Sequence, residues 1–293
     1  MKSLLLLAST ISMVAATPVR RADTNTTYFF TFGDSYSQTG FYPEGEKPTA
    51  SNPMGNPELG TGTTTNGPNW VGYLTTAENA SLVLSYNLAQ GGATIDNSIV
   101  SSYADDLVAQ VETFQENYSS KPESAPWTGK DAVFGFWFGI NDVGNAYSST
   151  DADTLTPKLI TRYLSLVEKI YNDGGRKFLF INVPPTGRTP MFLDQGDEAV
   201  KQLGAYVETF NKNLEAKVKE FNANHTDTTT VVYDSWSFMT KILDSPSEYG
   251  FPNATCINDD GSSCVWWNNY HPGFKYHKLQ AEDMKPKLAS LGW

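Results

Sequence analysis

Five segments of this chain are rich in aromatic and aliphatic residues, and each runs out into glycine, proline or polar residues: "TYFFTFGDS", "LVLSYNLAQGGAT", "DAVFGFWFGIND", "KFLFINVPPTG" and "TTVVYDSW". Their apolar residues are continuous and do not alternate. A strand with one wet face alternates, whereas one buried on both faces does not, so the pattern predicts a parallel sheet covered on both sides. The covers lie between the strands. Leu159, Ile160, Tyr163, Val167, Ile170 and Tyr171 recur at helical spacing, with Thr156 read as N-cap, Pro157 as first helical residue and "NDGG" as the stop. Leu203, Val207, Phe210, Leu214, Val218 and Phe221 form a second stripe with Lys and Glu between, a face for core packing. Alternating strands and helices predict a three-layer α/β/α sandwich around a central parallel sheet.

Ligands of such folds gather beyond the carboxyl ends of the strands. The polar residues at those ends are Asp34-Ser35, Gly91-Gly92, Gly139 to Asp142 and Pro184 to Arg188, which are therefore expected to share one rim although they are scattered in sequence.

The start of the chain, "MKSLLLLASTISMVAA", has a lysine, a short apolar run and a small-residue end, which predicts a secretory signal over residues 1–16. The Arg20-Arg21 pair marks a second processing site, making 17–21 a candidate short propeptide and 22–293 a single domain. No internal repeat or linker divides that remainder. The Pro/Gly/Ser/Thr-rich segment Pro48 to Pro68 lies too near the start to separate domains and is read as a long surface loop over a sheet edge.

The formal charge of the whole chain is −11; residues 1–21 carry Lys2, Arg20 and Arg21 and no acid, so their removal leaves −14. A chain that acidic repels phosphate backbones and anionic lipid, which argues against nucleic-acid and membrane partners. No later stretch approaches ~18 apolar residues, so no membrane anchor is expected. Sequons at Asn25, Asn79, Asn117, Asn224 and Asn253 fit an extracellular, glycosylated protein. The cysteines of "CINDDGSSC", Cys256 and Cys264, are expected to pair in an oxidising compartment and to stiffen the histidine-bearing segment just downstream.

That segment, "WWNNYHPGFKYH", holds two of the three histidines. Acyl transfer needs a nucleophile, a base and donors for an oxyanion. Ser35 sits on a turn after a strand, Gly92 can present a bare backbone N–H, Asn141 carries an uncharged amide donor, and His271 can take and return the serine proton. Each alone is weak, because serines in turns and glycine pairs usually serve the backbone. Four of them at strand ends and terminus together carry weight.

"FGDSYSQTG", "NLAQGGAT", "FGIND" and "NNYHPG" resemble, in order and spacing, the four signature blocks of the SGNH or GDSL hydrolase superfamily. The resemblance spans Thr31 to about Leu279. It implies a flavodoxin-like sandwich with Ser35 as nucleophile, His271 as base, and an oxyanion hole of the Ser35 and Gly92 backbone N–H groups and the Asn141 amide. "TTTNGPNWVGYL", "NVPPTGRTP" and "WWNNYHPG" further resemble secreted fungal acetyl esterases of carbohydrate esterase family sixteen. That implies a serine esterase removing acetyl groups from plant cell-wall oligosaccharides, with no cofactor. Lipases and phospholipases acting on longer acyl chains share the blocks, and a secreted carbohydrate-binding protein with a dead site is a further alternative. The G-x-S-x-G elbow of ordinary α/β-hydrolases is absent.

One position departs from the superfamily pattern: its usual aspartate, three residues before the histidine, is Asn268 here. Three orienters for the imidazole stay open: the Asn268 carbonyl oxygen, a backbone carbonyl near "WWNN", or an acid from elsewhere such as Asp259, Asp260 or Asp234. Trp266, Trp267 and Tyr270 are candidates for stacking on a sugar ring, with core packing expected for at least one tryptophan; Trp70 and Trp137 are expected in the core. Asp34 and Asp142 are expected to hydrogen-bond the strand-end loops. His225 is expected at the surface and His277 as a structural residue of a terminal helix. No cluster has metal-ligand spacing, so no metal site is expected. The sequence leaves oligomeric state open.

Overall fold

The computed structural model describes residues 26–293; the predicted leader (1–16), the candidate propeptide (17–21) and the Asn25 sequon lie outside the described residues. Strands β1 (Thr27–Gly33), β2 (Val83–Asn87), β3 (Ala132–Trp137), β4 (Lys177–Ile181) and β5 (Thr229–Tyr233) pair in the order β2-β1-β3-β4-β5, every pair parallel. This is the flavodoxin-like order, in which the connection reverses direction beside β1 and leaves a crevice at the carboxyl ends of β1 and β3. The helices are α1 (Trp70–Thr76), α2 (Leu107–Asn117), α3 (Ile140–Ala146), α4 (Ala152–Asn172), α5 (Pro190–Leu193), α6 (Asp197–Asn224), α7 (Ser235–Asp244) and α8 (Phe274–Met284).

Adjacent phenylalanines of β1 show why the run does not alternate. Phe29 packs against Trp70 of α1 and Trp293, at ring-centroid distances of 6.0 and 4.8 Å. Phe30, on the opposite face, packs against Phe114 of α2 at 5.1 Å and Trp127 at 5.9 Å. Both faces are dry, so both positions are aromatic. The parallel register carries the second face across the sheet: Phe32, Phe136 and Phe180 stack side by side at 4.8 and 5.7 Å, and Tyr163 of α4 caps the latter two. Aromatic neighbours in register add to the area they bury. Helices α2, α4 and α6 cover that face in a row, while α1 packs on α8 over the other.

Three details depart from the sequence reading. The N-cap of helix α4 lies five residues before the predicted one: Asp151 caps it by accepting the Thr154 N–H at 2.9 Å and hydroxyl at 2.7 Å. Pro157 lies within the helix, where it forgoes one intrahelical hydrogen bond, and Thr156 turns its hydroxyl onto the Ala152 carbonyl. Strand β5, at the sheet edge, is only half covered, with Val232 exposed. His225, expected at the surface, is wedged against Tyr171 and Phe221 with ring centroids at 4.2 and 4.3 Å, and its Nε2 lies 3.1 Å from Glu168. The Pro-rich loop does lie along a sheet edge: the Pro53 carbonyl accepts the Ser85 N–H of edge strand β2 at 2.9 Å, and Met54 is buried. Among the sequons, Asn224 and Asn253 are exposed, whereas Asn79 and Asn117 are half-buried with their amides on Thr75 and Thr113 carbonyls.

Candidate active site

β1 delivers the chain into a tight turn. Asp34 Oδ1 accepts the Tyr36 N–H at 2.9 Å while the Asp34 carbonyl accepts the N–H groups of Ser37 and Gln38, an Asx-type arrangement that fixes the turn locally. The strand end is clamped from α2. Buried Gln110 accepts the Gly33 N–H through Oε1 at 3.0 Å and donates Nε2–H to the Gly33 carbonyl at 2.9 Å. Asn69, which N-caps α1 through its carbonyl oxygen, donates its amide to the carbonyls of Ser37 and Gln38. Ser35 thus stands on a turn braced from two helices and keeps 7% of its surface exposed.

Two further strand ends bring donors to it. Past β2, Gly92 adopts φ +86°, a conformation that favours glycine. Past β3, Gly139 at φ +114° makes the sharp entry to α3; a Cβ there would lie 2.5 Å from the Phe210 ring, so no other residue fits without displacement. The turn places Asn141 so that its Nδ2 donates to the Ala93 carbonyl at 2.9 Å, tying it to the loop that carries Gly92 and leaving its second N–H uncommitted. Among the described residues, the backbone N–H groups of Ser35 and Gly92 have no protein acceptor.

The histidine arrives from the tail. Cys256 and Cys264 are joined in a disulfide, and beyond it Trp266 bridges Ile257 on one side and Pro272 on the other. The His271 carbonyl accepts the Trp267 N–H at 2.8 Å, closing the loop on itself. Its outer side is pinned where the Asn269 carbonyl accepts the Met191 N–H of α5, and where the Tyr36 hydroxyl donates to the Tyr270 carbonyl at 2.6 Å. His271 Nε2 then lies 2.8 Å from Ser35 Oγ, across 236 residues of sequence.

Of the three candidate orienters, the Asn268 side chain is the one that reaches the imidazole. Its Oδ1 accepts the backbone N–H groups of Tyr270 and His271 at 2.8 and 2.7 Å and lies 3.2 Å from His271 Nδ1. Two backbone donors converging on one atom require that atom to be the oxygen, which settles the amide orientation and makes Nδ1 the protonated nitrogen. Nε2 is left free to accept from Ser35. Two of the acids are occupied elsewhere, Asp260 taking N–H groups of Ser262 and Ser263 and Asp234 capping α7, while Asp259 is exposed.

Burial sets the electrostatics of the site. With no carboxylate beside it, the His271 imidazole is pushed down to about 4 by desolvation. Asp34 and Asp142 lie fully buried beneath the rim and, as expected, hydrogen-bond strand-end loops, Asp142 Oδ1 accepting the Ile95 N–H at 3.0 Å. Burial, and for Asp34 the nearby Asp142, raise these carboxyls to about 8 and about 7. His277 is buried in α8 behind the Tyr36 ring, which lies 6.5 Å away, and desolvation followed by the His271 charge lowers it to about 3.

A family model covers most of this chain: the GDSL-like lipase/acylhydrolase model matches residues 29–284. The chain belongs to that family. It is 41% identical over 282 residues to an acetylesterase of Thermothelomyces thermophilus, covering 95% of this chain and 93% of that one. A GDSL esterase/lipase of Arabidopsis thaliana is 26% identical over 87% of this chain and 79% of its own. In fold the chain is similar to Axe2, an acetylxylan esterase from Geobacillus stearothermophilus, with a TM-score of 0.51 at 13% identity, covering 91% of this chain and 94% of that one.

Ser35, Gly92, Asn141 and His271 border one open cleft of about 550 Å³. A larger groove of about 670 Å³ runs between α6 and β5, but it is lined by surface Glu, Lys and Asn residues and holds neither serine nor histidine. The rim is narrower than expected. Pro184 to Arg188 turn away from the cleft, because Arg188 pairs with Asp244 at 2.6 Å and the chain there feeds α5, which supports the histidine loop from outside. Of the three candidate stacking aromatics, Trp266 is fully buried and donates its indole N–H to the Ala254 carbonyl, so it packs the tail and cannot meet substrate. Trp267 is half-buried with its ring 6.5 Å from His271 and does not line the cleft; Tyr270 does. Trp70 and Trp137 are core residues.

The remaining walls come from residues not singled out in the sequence: Gln38, Thr64 and Gln90, which lie inside the signature blocks, and Tyr103, which lies outside them. Thr64 belongs to the Pro-rich loop, and its hydroxyl donates to the Ser35 carbonyl at 2.7 Å. Tyr103 carried a faint sequence signal, as an aromatic alone among polar residues in "SSYADD".

Proposed function

We propose that this protein is a serine esterase that removes acetyl groups from plant cell-wall oligosaccharides such as acetylated xylo-oligosaccharides. Ser35 Oγ attacks the acetyl carbonyl carbon as its proton passes to His271 Nε2. The oxyanion is held by the Ser35 and Gly92 backbone N–H groups and the second N–H of Asn141. Collapse expels the sugar alkoxide, which takes the proton from Nε2 and leaves acetyl-Ser35. Water then attacks and gives one proton to Nε2; the adduct collapses, the Ser35 oxygen leaving with that proton, and acetic acid departs and ionises in solvent. Asn268 holds the imidazole tautomer throughout.

The observation that carries the substrate class is the cleft wall. Among the described residues lining it there is no aliphatic side chain; amides, hydroxyls, glycines and two tyrosines form it. A long acyl chain bound there finds tyrosine rings but no aliphatic wall, so it gains less than the about 0.8 kcal/mol per CH₂ of full apolar burial. A sugar bearing a two-carbon acyl group meets donors, acceptors and aromatic faces. The kinship to a fungal acetylesterase supports the same reading. We also propose secretion of a single mature domain, 22–293, supported by the leader pattern, the Cys256–Cys264 disulfide and the exposed sequons at Asn224 and Asn253. The test compares p-nitrophenyl acetate with p-nitrophenyl octanoate. Acetate is expected to turn over faster, and faster octanoate hydrolysis overturns the assignment in favour of a lipase.

A further inference from the structure

We propose that Tyr103 is the specificity-determining platform on which the sugar of the substrate rests while its acetyl group occupies the oxyanion site. The inference rests on the esterase reading above and concerns how that site selects its leaving group.

Tyr103 is 95% exposed, a large hydrophobic side chain left almost bare to solvent. A loose loop would account for that, but this loop is not loose. On the N-terminal side, Ser102 Oγ donates to the Gly92 carbonyl at 2.6 Å, and Ser102 N–H donates to Asn97 Oδ1 at 3.1 Å. On the other side, Asn97 Nδ2 donates to the Ala104 carbonyl at 2.8 Å, and Ala104 N–H donates to Ser102 Oγ. Asn97 is itself anchored, its N–H donating to Asp106, the N-cap of α2. The backbone is fixed on both flanks while the ring is free. Fixing the backbone before the ligand arrives lowers the entropy cost of binding, and tyrosine offers a large amphipathic face with few rotatable bonds.

The ring also stands over the reacting groups. A Cβ built on Gly92 would lie 3.0 Å from both Cζ and the hydroxyl oxygen of Tyr103, so the phenol end overhangs one of the proposed oxyanion donors. An ester whose carbonyl oxygen reaches the Gly92 N–H lies beside this ring, and the platform assignment places its alcohol portion there. The C–H face of a pyranose can stack there, with the phenol hydroxyl as a further hydrogen-bonding group. Tyr270 lines the same cleft but sits against His271 at 5.3 Å, so it borders the reacting atoms and not the approach to them.

The experiment measures kcat/KM of wild type, Tyr103→Ala and Tyr103→Phe on acetylated xylotriose and on ethyl acetate, whose alcohol is too small to reach the ring. The expected result is that Tyr103→Ala lowers the ratio of sugar-ester to ethyl-acetate efficiency by about tenfold, mainly through KM, with Tyr103→Phe restoring most of it. An unchanged ratio in Tyr103→Ala overturns the platform even though the esterase reading stands. If wild type hydrolyses ethyl acetate but not the acetylated sugar, the substrate assignment itself falls and takes the platform with it.

Discussion

Ser35 and His271 meet at 2.8 Å, but the segments that carry them are held by different means. The serine stands on a turn that continues β1, clamped by Gln110 and Asn69 from neighbouring helices, so the sheet and its packing set its position. The histidine stands on a loop outside the sheet, kept in shape by a disulfide, by backbone bonds of the loop to itself, and by the single oxygen of Asn268. The first region resists perturbation because many contacts over-determine it. The second depends on a few groups, and one of them is also the proposed tautomer holder. Changes at the nucleophile should therefore test chemistry alone, and changes in the tail should mix chemistry with architecture.

The largest expected effect lies at the meeting point. Ser35→Ala and His271→Ala are each expected to lower kcat on p-nitrophenyl acetate by about 10⁴-fold or more, and the double variant by little more than either single, as for groups acting as a unit. Turnover of Ser35→Ala within tenfold of wild type dissolves the acyl-enzyme reading. Additive losses would mean that the two side chains act independently.

Next comes Asn268→Ala, which strikes the tail alone. It strips the acceptor from two backbone N–H groups and from Nδ1 at once. We expect kcat/KM to fall by about 10²-fold, below the roughly 10⁴ seen when a charged orienter is replaced in the serine-protease triad, because no charge is lost here. Thermal stability should fall too, by roughly 1–3 kcal/mol for the exposed donors. Full activity with unchanged stability would transfer the orienting role to another group.

The same contrast explains what could be read from the residues alone. The strands were legible because burial on both faces writes an unbroken apolar run, and Phe29 beside Phe30 is that signature in two residues. Ser35, Gly92 and Asn141 were legible because strand ends converge in a parallel sheet. Gln110 was not: a glutamine in an amphipathic helix carries no mark of the strand end it will clamp, since that contact spans 77 residues. Thr64 escaped for the same reason, entering the cleft on a loop without periodicity. Trp266 and Trp267 look alike in sequence, yet one is a buried strut and the other a half-buried neighbour, because a non-repeating loop has no face rule to separate them. The helix start at Asp151 was missed because Thr156-Pro157 also has the form of a cap, and the aspartate upstream forms the one that is used.

The smallest effect sharpens the comparison most. In Asn268→Asp both backbone N–H groups and Nδ1–H keep an acceptor, so the loop is expected to hold its shape while the orienter gains a charge. A carboxylate within hydrogen-bond reach favours the imidazolium and raises the His271 pKa from its desolvated value of about 4. The base works only when neutral. In wild type kcat/KM should therefore hold down to about pH 4 and fall below it, because kcat/KM reports the free enzyme. The variant's acid limb should move up by roughly one to two pH units, so at pH 5 its activity falls by about twofold to tenfold, while at pH 8 it equals or exceeds wild type as the charge stabilises the imidazolium formed in the transition state. An acid limb that stays in place would show that Asn268 does not face the titrating group, and a limb that moves with intact stability would separate the tail's chemical role from its structural one.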